Sequence, residues 1–386
     1  MSNLQFRFEP VELPAQAAGL RAEVRSLLDE ERRRGALARP DRVGMAFSAE
    51  FSRKLGERGW IGMTWPKRYG GHERTALDRY VVTEELLAAG APVRGHWTAD
   101  RQSGPVLLRF GSELQKQTYL PRIATGECYF CIGLSEPDSG SDLASIRTRA
   151  RKVEGGWRLS GTKLWTTNAH NAHYMIALCR TSPAGEQRHA GLSQFIVDMA
   201  TPGLTVRPVI NMAGEHDFNE VVLDEVFVPD DGLVGECDNG WNQVSAELAF
   251  ERSGPERWLS TFRLLAELAQ AAGRGASAAC VAEIGRLTAH LVTLRQMSMS
   301  VAGMLQAGRT PNVEAAIVKD LGTRFEQEVV QVARTLLHAE NLGRAENAAV
   351  LRALIDHACL YAPVFTIRGG TSEILRGAIA RGLGLR

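Results

Sequence analysis

The sequence predicts an α+β chain in three parts: helices, a compact β-domain, and helices again. Three observations predict this. Up to about residue 125 apolar residues recur at helical spacing. From about 126 to 236 the period shortens to two, and Pro/Gly clusters such as Pro202-Gly203 separate short runs. From 237 to 386 long stripes at helical spacing return. A chain of 386 residues has room for two or three domains, and the pattern places them at 1–125, 126–236 and 237–386.

Taken in order, residues 15–35 put Leu20, Val24, Leu27 and Leu28 on one helical face opposite a charged one. Ser48 can cap a helix that carries Phe51 and Leu55 and ends near Gly56 or Gly59. Leu77, Tyr80, Val81 and Leu87 mark a helix from Thr75 to Ala89, with Gly90 as its C-terminal stop. Ser112 and Gln115 have the spacing of a capping box, Tyr119 and Leu120 follow, and Pro121 is expected to end that segment. Six strands are expected at 128–134, 157–167, 173–180, 193–199, 204–210 and 219–228. One helix is then expected over roughly 240–271, broken at Gly273-Arg274-Gly275, and a second over 278–307. Thr310 reads as an N-cap with Pro311 at the first helical position. Ile317, Leu321, Phe325, Val332 and Leu336 form the apolar stripe of that third helix.

Composition narrows the function. A net charge of +1 gives no reason to expect nucleic acid or a charged membrane surface as partner. No run of about 18 apolar residues is apparent, so no membrane span is expected. Met1 to Gln16 has acidic residues and no apolar core, so no secretory leader is expected. The cysteines at 128, 131, 179, 237, 280 and 359 are scattered, which fits a reducing cytoplasm. Cys128 and Cys131 read as residues of a buried strand, since no second pair completes a zinc site. His170 and His173 have no further ligands nearby in sequence, so no metal is expected. No G-x-S-x-G hydrolase elbow is present, and the final G-L-G-L-R has no preceding strand to make it a dinucleotide fingerprint.

The chemistry gathers between Phe130 and Asn168. A loop rich in Ser, Asp, Gly and Pro, L-S-E-P-D-S-G-S-D (Leu134 to Asp142), follows one β-type run. A second run, with Trp157 and Leu159 alternating, leads into G-T-K-L-W-T-T-N (Gly161 to Asn168). Trp165 beside two threonines offers a flat π-surface next to hydroxyl donors, which suits a flat heteroaromatic ligand. A third block, R-G-G-T-S-E-I-L-R (Arg368 to Arg376), puts two glycines before a helix start, where a backbone can approach an anionic ligand closely.

In order and spacing these three blocks resemble the signatures of the acyl-CoA dehydrogenase family, and the resemblance covers nearly the whole chain. It implies a helical N-terminal domain, a β-barrel-like middle domain and a C-terminal four-helix bundle. It also implies FAD and the α,β-desaturation of an acyl-CoA thioester: a carboxylate removes the α-proton and the β-hydrogen leaves as hydride to flavin N5. By the same resemblance Trp165 would flank the flavin ring and Thr167 would bond near N5. Leu134 and Ser135 would touch the ring, Ser141 would lie near a phosphate, and Thr371 would contact the cofactor. An electron-transferring flavoprotein is the implied acceptor, and a homodimer or homotetramer the implied assembly.

This sequence departs from the family pattern in two places. Many members carry the base just before the Gly-Thr of the third block, where this chain has Gly369. A second group carries it on a helix of the C-terminal domain, before an arginine. Aligned on V-L-D-E-V-F-V-P-D and the N-G-W turn, those positions are Glu251 and Arg252, with Glu247 in reserve. The family's Arg-x-x-Phe-Gly and Gly-Gly-x-Gly stretches, which reach FAD across a subunit interface, read A-A-G-R-G-A-S-A-A and L-L-H-A-E-N-L-G-R here, with Arg274 a possible substitute. Two alternatives therefore stand beside a homo-oligomeric dehydrogenase: a flavin monooxygenase or oxidase on the same scaffold, and one subunit of a hetero-oligomeric dehydrogenase.

Overall fold

The structure is a computed structural model. It describes the chain apart from residues 1–5, 38–40, 184, 252, 341, 343, 344 and 386 and the side chains of 246–251. The chain divides into two compact units.

The first unit carries the sheet. It contains α2 (Ala49–Glu57), α4 (Arg94–Thr98), α5 (Gly104–Phe110), α6 (Glu113–Ala124) and α7 (Gly240–Glu251), numbered in chain order. Ser48 caps α2, its hydroxyl accepting from the Phe51 amide. The Ser112–Gln115 capping box opens α6 as its spacing predicts. Pro121, however, lies inside α6 and does not end it. Leu120 and Ile123 are fully buried and Ala124 nearly so, and this packing holds the helix through the bond that proline cannot make. The α4–α5 segment, joined by a π-turn at Ala99–Ser103, is a helix beyond those expected from the sequence. It is fixed by tertiary contacts: Asp100 accepts from the Gly62 amide at 2.8 Å. A Cβ on Gly104 would meet the Trp65 ring at 2.2 Å.

Buried His96, on α4, has its Nδ1 2.9 Å from Ser52 Oγ. Burial pushes its pKa down to about 4 from 6.5, so the folded chain holds it neutral. The unfolded chain takes up the proton first, so stability is full above pH 6.5 and falls as the pH drops from 6.5 toward about 4. The loss amounts to about 3 kcal/mol. His96→Gln is expected to flatten that slope in denaturant titrations across this window; an unchanged slope would assign the acid sensitivity elsewhere.

Seven strands follow: β1 (Phe130–Gly133), β2 (Arg149–Val153), β3 (Gly156–Lys163), β4 (Tyr174–Arg180), β5 (Leu192–Asp198), β6 (Leu204–Ile210) and β7 (His216–Pro229). They form one curled sheet in the order β1-β4-β2-β3-β7-β6, with β5 pairing β4. β1 runs parallel to β4, whereas β2–β3, β3–β7, β6–β7 and β4–β5 are antiparallel. β2 is a correction to the six strands read from sequence. Only Ala150 of its five residues is buried, so it shows no hydrophobic alternation and exists through its pairing with β3. β3 stops at Lys163, short of the expected 167, because Trp165 and Asn168 leave the extended region with φ of 62° and 60°. One face of the sheet packs Cys131, Trp157, Leu159, Met175, Phe195, Val221 and Val228 into a core.

The second unit is helical: α1 (Ala17–Arg33), α3 (Ala76–Ala88), α8 (Phe262–Ala272), α9 (Ala278–Gln306), α10 (Asn312–Ala339), α11 (Ala348–Tyr361) and α12 (Ser372–Gly382). The predicted face of α1 is buried. The buried carboxylates Glu84 and Glu85 tie α1 and α9 to α3. Arg295 Nε donates to Glu84 at 2.6 Å, Arg21 Nη2 to Glu84 at 3.1 Å, and Arg25 Nε to Glu85 at 2.7 Å. The single helix expected over 240–271 is in fact broken. α7 ends at Glu251 and α8 begins at Phe262, with a 3-10 turn at Pro255–Arg257 between them. The residue before a proline is driven out of the helical region, and Gly254 is extended at φ −72°, ψ 167°.

α10 starts at Asn312 with Pro311 as its N-cap, one residue later than expected. Its buried face runs through Val318, Gly322, Phe325, Val329, Ala333 and Leu336, and Leu321 of the expected stripe is 38% exposed. Buried polar groups shift the stripe. Lys319 is fully buried and donates to the Phe365 carbonyl at 3.1 Å, which turns Leu321 outward. Ala348–Thr366 has the length and mean hydropathy, 1.4, of a membrane span, a stretch the sequence reading did not single out. Here Leu351, Leu354, Ala358 and Phe365 of that stretch have no exposure, as in a core helix.

Candidate functional site

The two middle sequence blocks meet in the sheet unit. At the end of β3 the Leu164 amide donates to the Ser135 carbonyl at 2.9 Å, joining the two loops. The fully buried Lys163 Nζ donates to Glu136 Oε1 at 2.8 Å and to the Leu134 carbonyl at 3.2 Å. Glu136 also accepts from two amides, that of Arg147 at Oε2, 2.7 Å, and that of Thr148 at Oε1, 2.9 Å. Burial pushes the Glu136 carboxyl up, but Lys163 and the donated bonds outweigh it and hold the group below the ordinary carboxylate range. Lys163 and Glu136 thus fix the backbone of Leu134 and Ser135. Neither residue was singled out from sequence, although both stand inside the quoted blocks.

Beyond Lys163 the chain makes a strained turn. Trp165 takes a left-handed φ of 62°, unusual for a bulky residue, and its side chain is 56% exposed. Its neighbours Lys163, Thr166 and Asn168 are buried. The Trp165 ring meets Phe218 edge-on at 5.9 Å. Thr166 and Asn168 are clamped to β7: the Thr166 amide donates to the Asn219 carbonyl at 3.0 Å and the Asn168 amide to that of Asp217 at 2.9 Å. Asp217 in turn pairs with Arg94 at 3.1 Å. Strain of this kind costs on the order of 1–3 kcal/mol and persists where the surroundings over-determine it. An indole turned outward on a rigid turn, with a buried Thr166 hydroxyl that has no partner among the described residues, fits a planar ligand with polar edges.

Of the other candidate residues, Ser141 is exposed in the loop after Ser135, next to Asp142, which Arg188 holds at 2.7 Å. Thr371 belongs to the helical unit and caps α12, its hydroxyl accepting from the Ile374 amide at 3.4 Å. Glu251 is the last residue of α7; its side chain, that of Glu247, and all of Arg252 lie outside the described residues.

Gly369 has φ 69°, and a Cβ there would stand 3.2 Å from the guanidinium carbon of buried Arg257. Gly369→Ala is therefore expected to destabilise by about 1 kcal/mol or somewhat more, read by chemical denaturation. Equal stability would mean that the loop relaxes around the added methyl.

Family models for the acyl-CoA dehydrogenase N-terminal, middle and C-terminal domains match residues 15–127, 131–226 and 238–384. The chain belongs to the acyl-CoA dehydrogenase family. Among its relatives, acyl-CoA dehydrogenase FadE26 of Mycobacterium tuberculosis (strain ATCC 25618 / H37Rv) is 32% identical, over 95% of this chain and 97% of its own. FadE34 of the same organism is 33% identical over 94% of this chain, which spans about half, 48%, of that longer protein. Among solved structures, the Tcur3481-Tcur3483 steroid ACAD superposes with a TM-score of 0.84 at 31% identity, covering 97% of this chain and 98% of the other. The ChsE4-ChsE5 complex from Mycobacterium tuberculosis gives 0.82 at 29% identity, covering 98% and 100%. Acyl-CoA dehydrogenases are FAD-dependent flavoproteins, so this chain is an oxidoreductase, and the turn carrying Trp165 fits the cofactor.

Proposed function

We propose that this acyl-CoA dehydrogenase desaturates an acyl-CoA thioester at its α,β-bond, with Glu251 as the base and Arg252 beside it. One observation carries the reading. The position that holds the base in many relatives is Gly369, a left-handed glycine packed against Arg257, which has no group to accept a proton. The remaining acid that matches a family position is Glu251, at the end of α7. A thioester α-proton is weakly acidic and is removed only where a carboxylate lies within hydrogen-bond reach and developing charge is stabilised. Bound FAD supplies the acceptor for the β-hydride. Leu134, Ser135, Trp165 and Thr167 would hold its ring system, with Ser141 and Thr371 toward its phosphates. We assign an electron-transferring flavoprotein as acceptor and the cytoplasm as location, in keeping with six free cysteines. The test is a titration of the purified yellow protein with a panel of acyl-CoAs. The structural likeness to a steroid ACAD puts steroid-derived thioesters first, beside straight and branched chains. Bleaching by at least one thioester without oxygen uptake supports the reading; indifference to the whole panel with rapid oxygen consumption sinks it in favour of an oxidase.

A second assembly has its own support. The Arg-x-x-Phe-Gly motif is replaced by A-A-G-R-G-A-S-A-A, so this chain lacks the motif's Phe-Gly for a neighbouring copy. In that reading a non-identical sister chain completes the FAD site. A chain that purifies colourless, fails to take up FAD alone and turns yellow with its sister would establish it; a yellow homo-oligomer would exclude it.

A further inference from the structure

The side chain of Asn219, on β7, joins the Trp165–Asn168 turn to a pair of stacked imidazoles. It is fully buried. Its Nδ2 donates to the Thr166 carbonyl at 2.9 Å, and its own backbone carbonyl accepts from the Thr166 amide at 3.0 Å. The carbonyl of Thr166 can only accept, so the orientation of the carboxamide is settled: Nδ2 faces the turn and Oδ1 faces away from it. Oδ1 lies 2.7 Å from His216 Nε2 and 3.3 Å from His170 Nδ1. The two rings stack with centroids 3.8 Å apart and an interplanar angle of 21°. An amide oxygen only accepts, so both of those ring nitrogens must carry hydrogen. Neutral His216 is then the Nε2–H tautomer and neutral His170 the Nδ1–H tautomer. Burial, then the neighbouring His216 ring and Arg94, lower the pKa of His170, and outweigh the Asn219 hydrogen bond and Asp217, which raise it.

We propose that Asn219 is a positioning residue for the flavin: its carboxamide, oriented by His216 and His170, sets the turn that presents Trp165 and Thr167. Main-chain bonds from Leu164, Thr166 and Asn168 anchor the turn at its two ends and its middle. The side-chain bond from Asn219 adds the donor for the Thr166 carbonyl, in the residue next to strained Trp165. Without it the buried Thr166 carbonyl loses its donor, and the strained φ of Trp165 relaxes. This rests on the reading of Trp165 and Thr167 as ring contacts.

The experiment titrates FAD into apo-protein, followed by flavin fluorescence, for Asn219→Ala, His216→Phe, His216→Gln and Trp165→Leu, with a thermal melt of each. Asn219→Ala and Trp165→Leu are each expected to weaken FAD about tenfold. His216→Phe keeps a ring but loses the donor and is expected to weaken FAD less; His216→Gln restores a donor and recovers affinity. In the wild-type holoprotein, 15N spectra are expected to show the two tautomers named above. If Trp165→Leu weakens FAD and neither Asn219→Ala nor His216→Phe does, the positioning role is overturned while the ring-contact reading stands. If Trp165→Leu also leaves affinity unchanged, the ring-contact reading falls and takes the proposal with it. Should Asn219→Ala fail to fold, the two His216 variants and the tautomers decide the matter.

Discussion

Glu251→Gln is expected to all but abolish bleaching of the flavin by acyl-CoA while the protein stays yellow. Glutamine keeps the size of the side chain and its hydrogen-bonding edge but cannot take a proton. General-base catalysis by one positioned group is worth about 10²–10⁴-fold, so turnover is expected to drop by roughly three orders of magnitude. Stopped-flow reduction of the bound flavin reads this step directly, and FAD content and acyl-CoA binding serve as controls. Adding a carboxylate at the tail loop of the same variant, Glu251→Gln with Gly369→Glu, is not expected to restore the rate. The left-handed φ of 69° and the Arg257 guanidinium 3.2 Å from any Cβ both oppose a side chain there. Full activity of Glu251→Gln would remove Glu251 from the mechanism; rescue by the added glutamate would show that the tail loop is still open to a base.

Lys163→Met is expected to lower stability by about 3–5 kcal/mol and to weaken FAD binding with it. The substitution removes a fully buried ammonium, leaves Glu136 charged in a site 8% exposed, and releases the Leu134 carbonyl. The double variant Lys163→Met, Glu136→Leu recovers much of the stability, because two apolar groups leave no uncompensated charge. It is not expected to recover FAD affinity, because the Leu134 carbonyl still lacks the Lys163 donor. Thermal melts and flavin titrations on the three variants separate these effects, and a single variant that melts with the wild type would sink the claim. The pH dependence has a definite sign. The folded-state pKa of Glu136 is depressed, so its contribution is complete above the ordinary carboxylate value of 4.5 and disappears as the pH falls through the depressed value.

Much of the fold was legible because it is written locally. Ser48 and the Ser112–Gln115 box open helices where their spacing says they should, and the face of α1 is the one its periodicity marks. Errors appear where a distant contact outweighs local preference. Pro121 stays helical because Leu120 and Ile123 are buried. β2 exists because β3 offers it an edge, and Leu321 faces out because Lys319 is held inside by a carbonyl 46 residues away. The candidate site shows the same division. Trp165 and Thr167 were visible as residue types in a matched block. Asn219 was not, because an asparagine on a strand looks like any other until its amide meets Thr166 and two histidines that stand 3 and 49 residues away.

By itself, the sequence determined the family, the helix–sheet–helix order and the glycine at 369, since these depend on residue identity and spacing along the chain. Only the tertiary structure decided that Trp165 is turned outward on a strained backbone, that Lys163 and Glu136 tether the loop beside it, and that Arg257 fills the space at Gly369. Burial and hydrogen-bond partners are set by segments far apart in sequence. Such energies become definite only when the chain closes on itself.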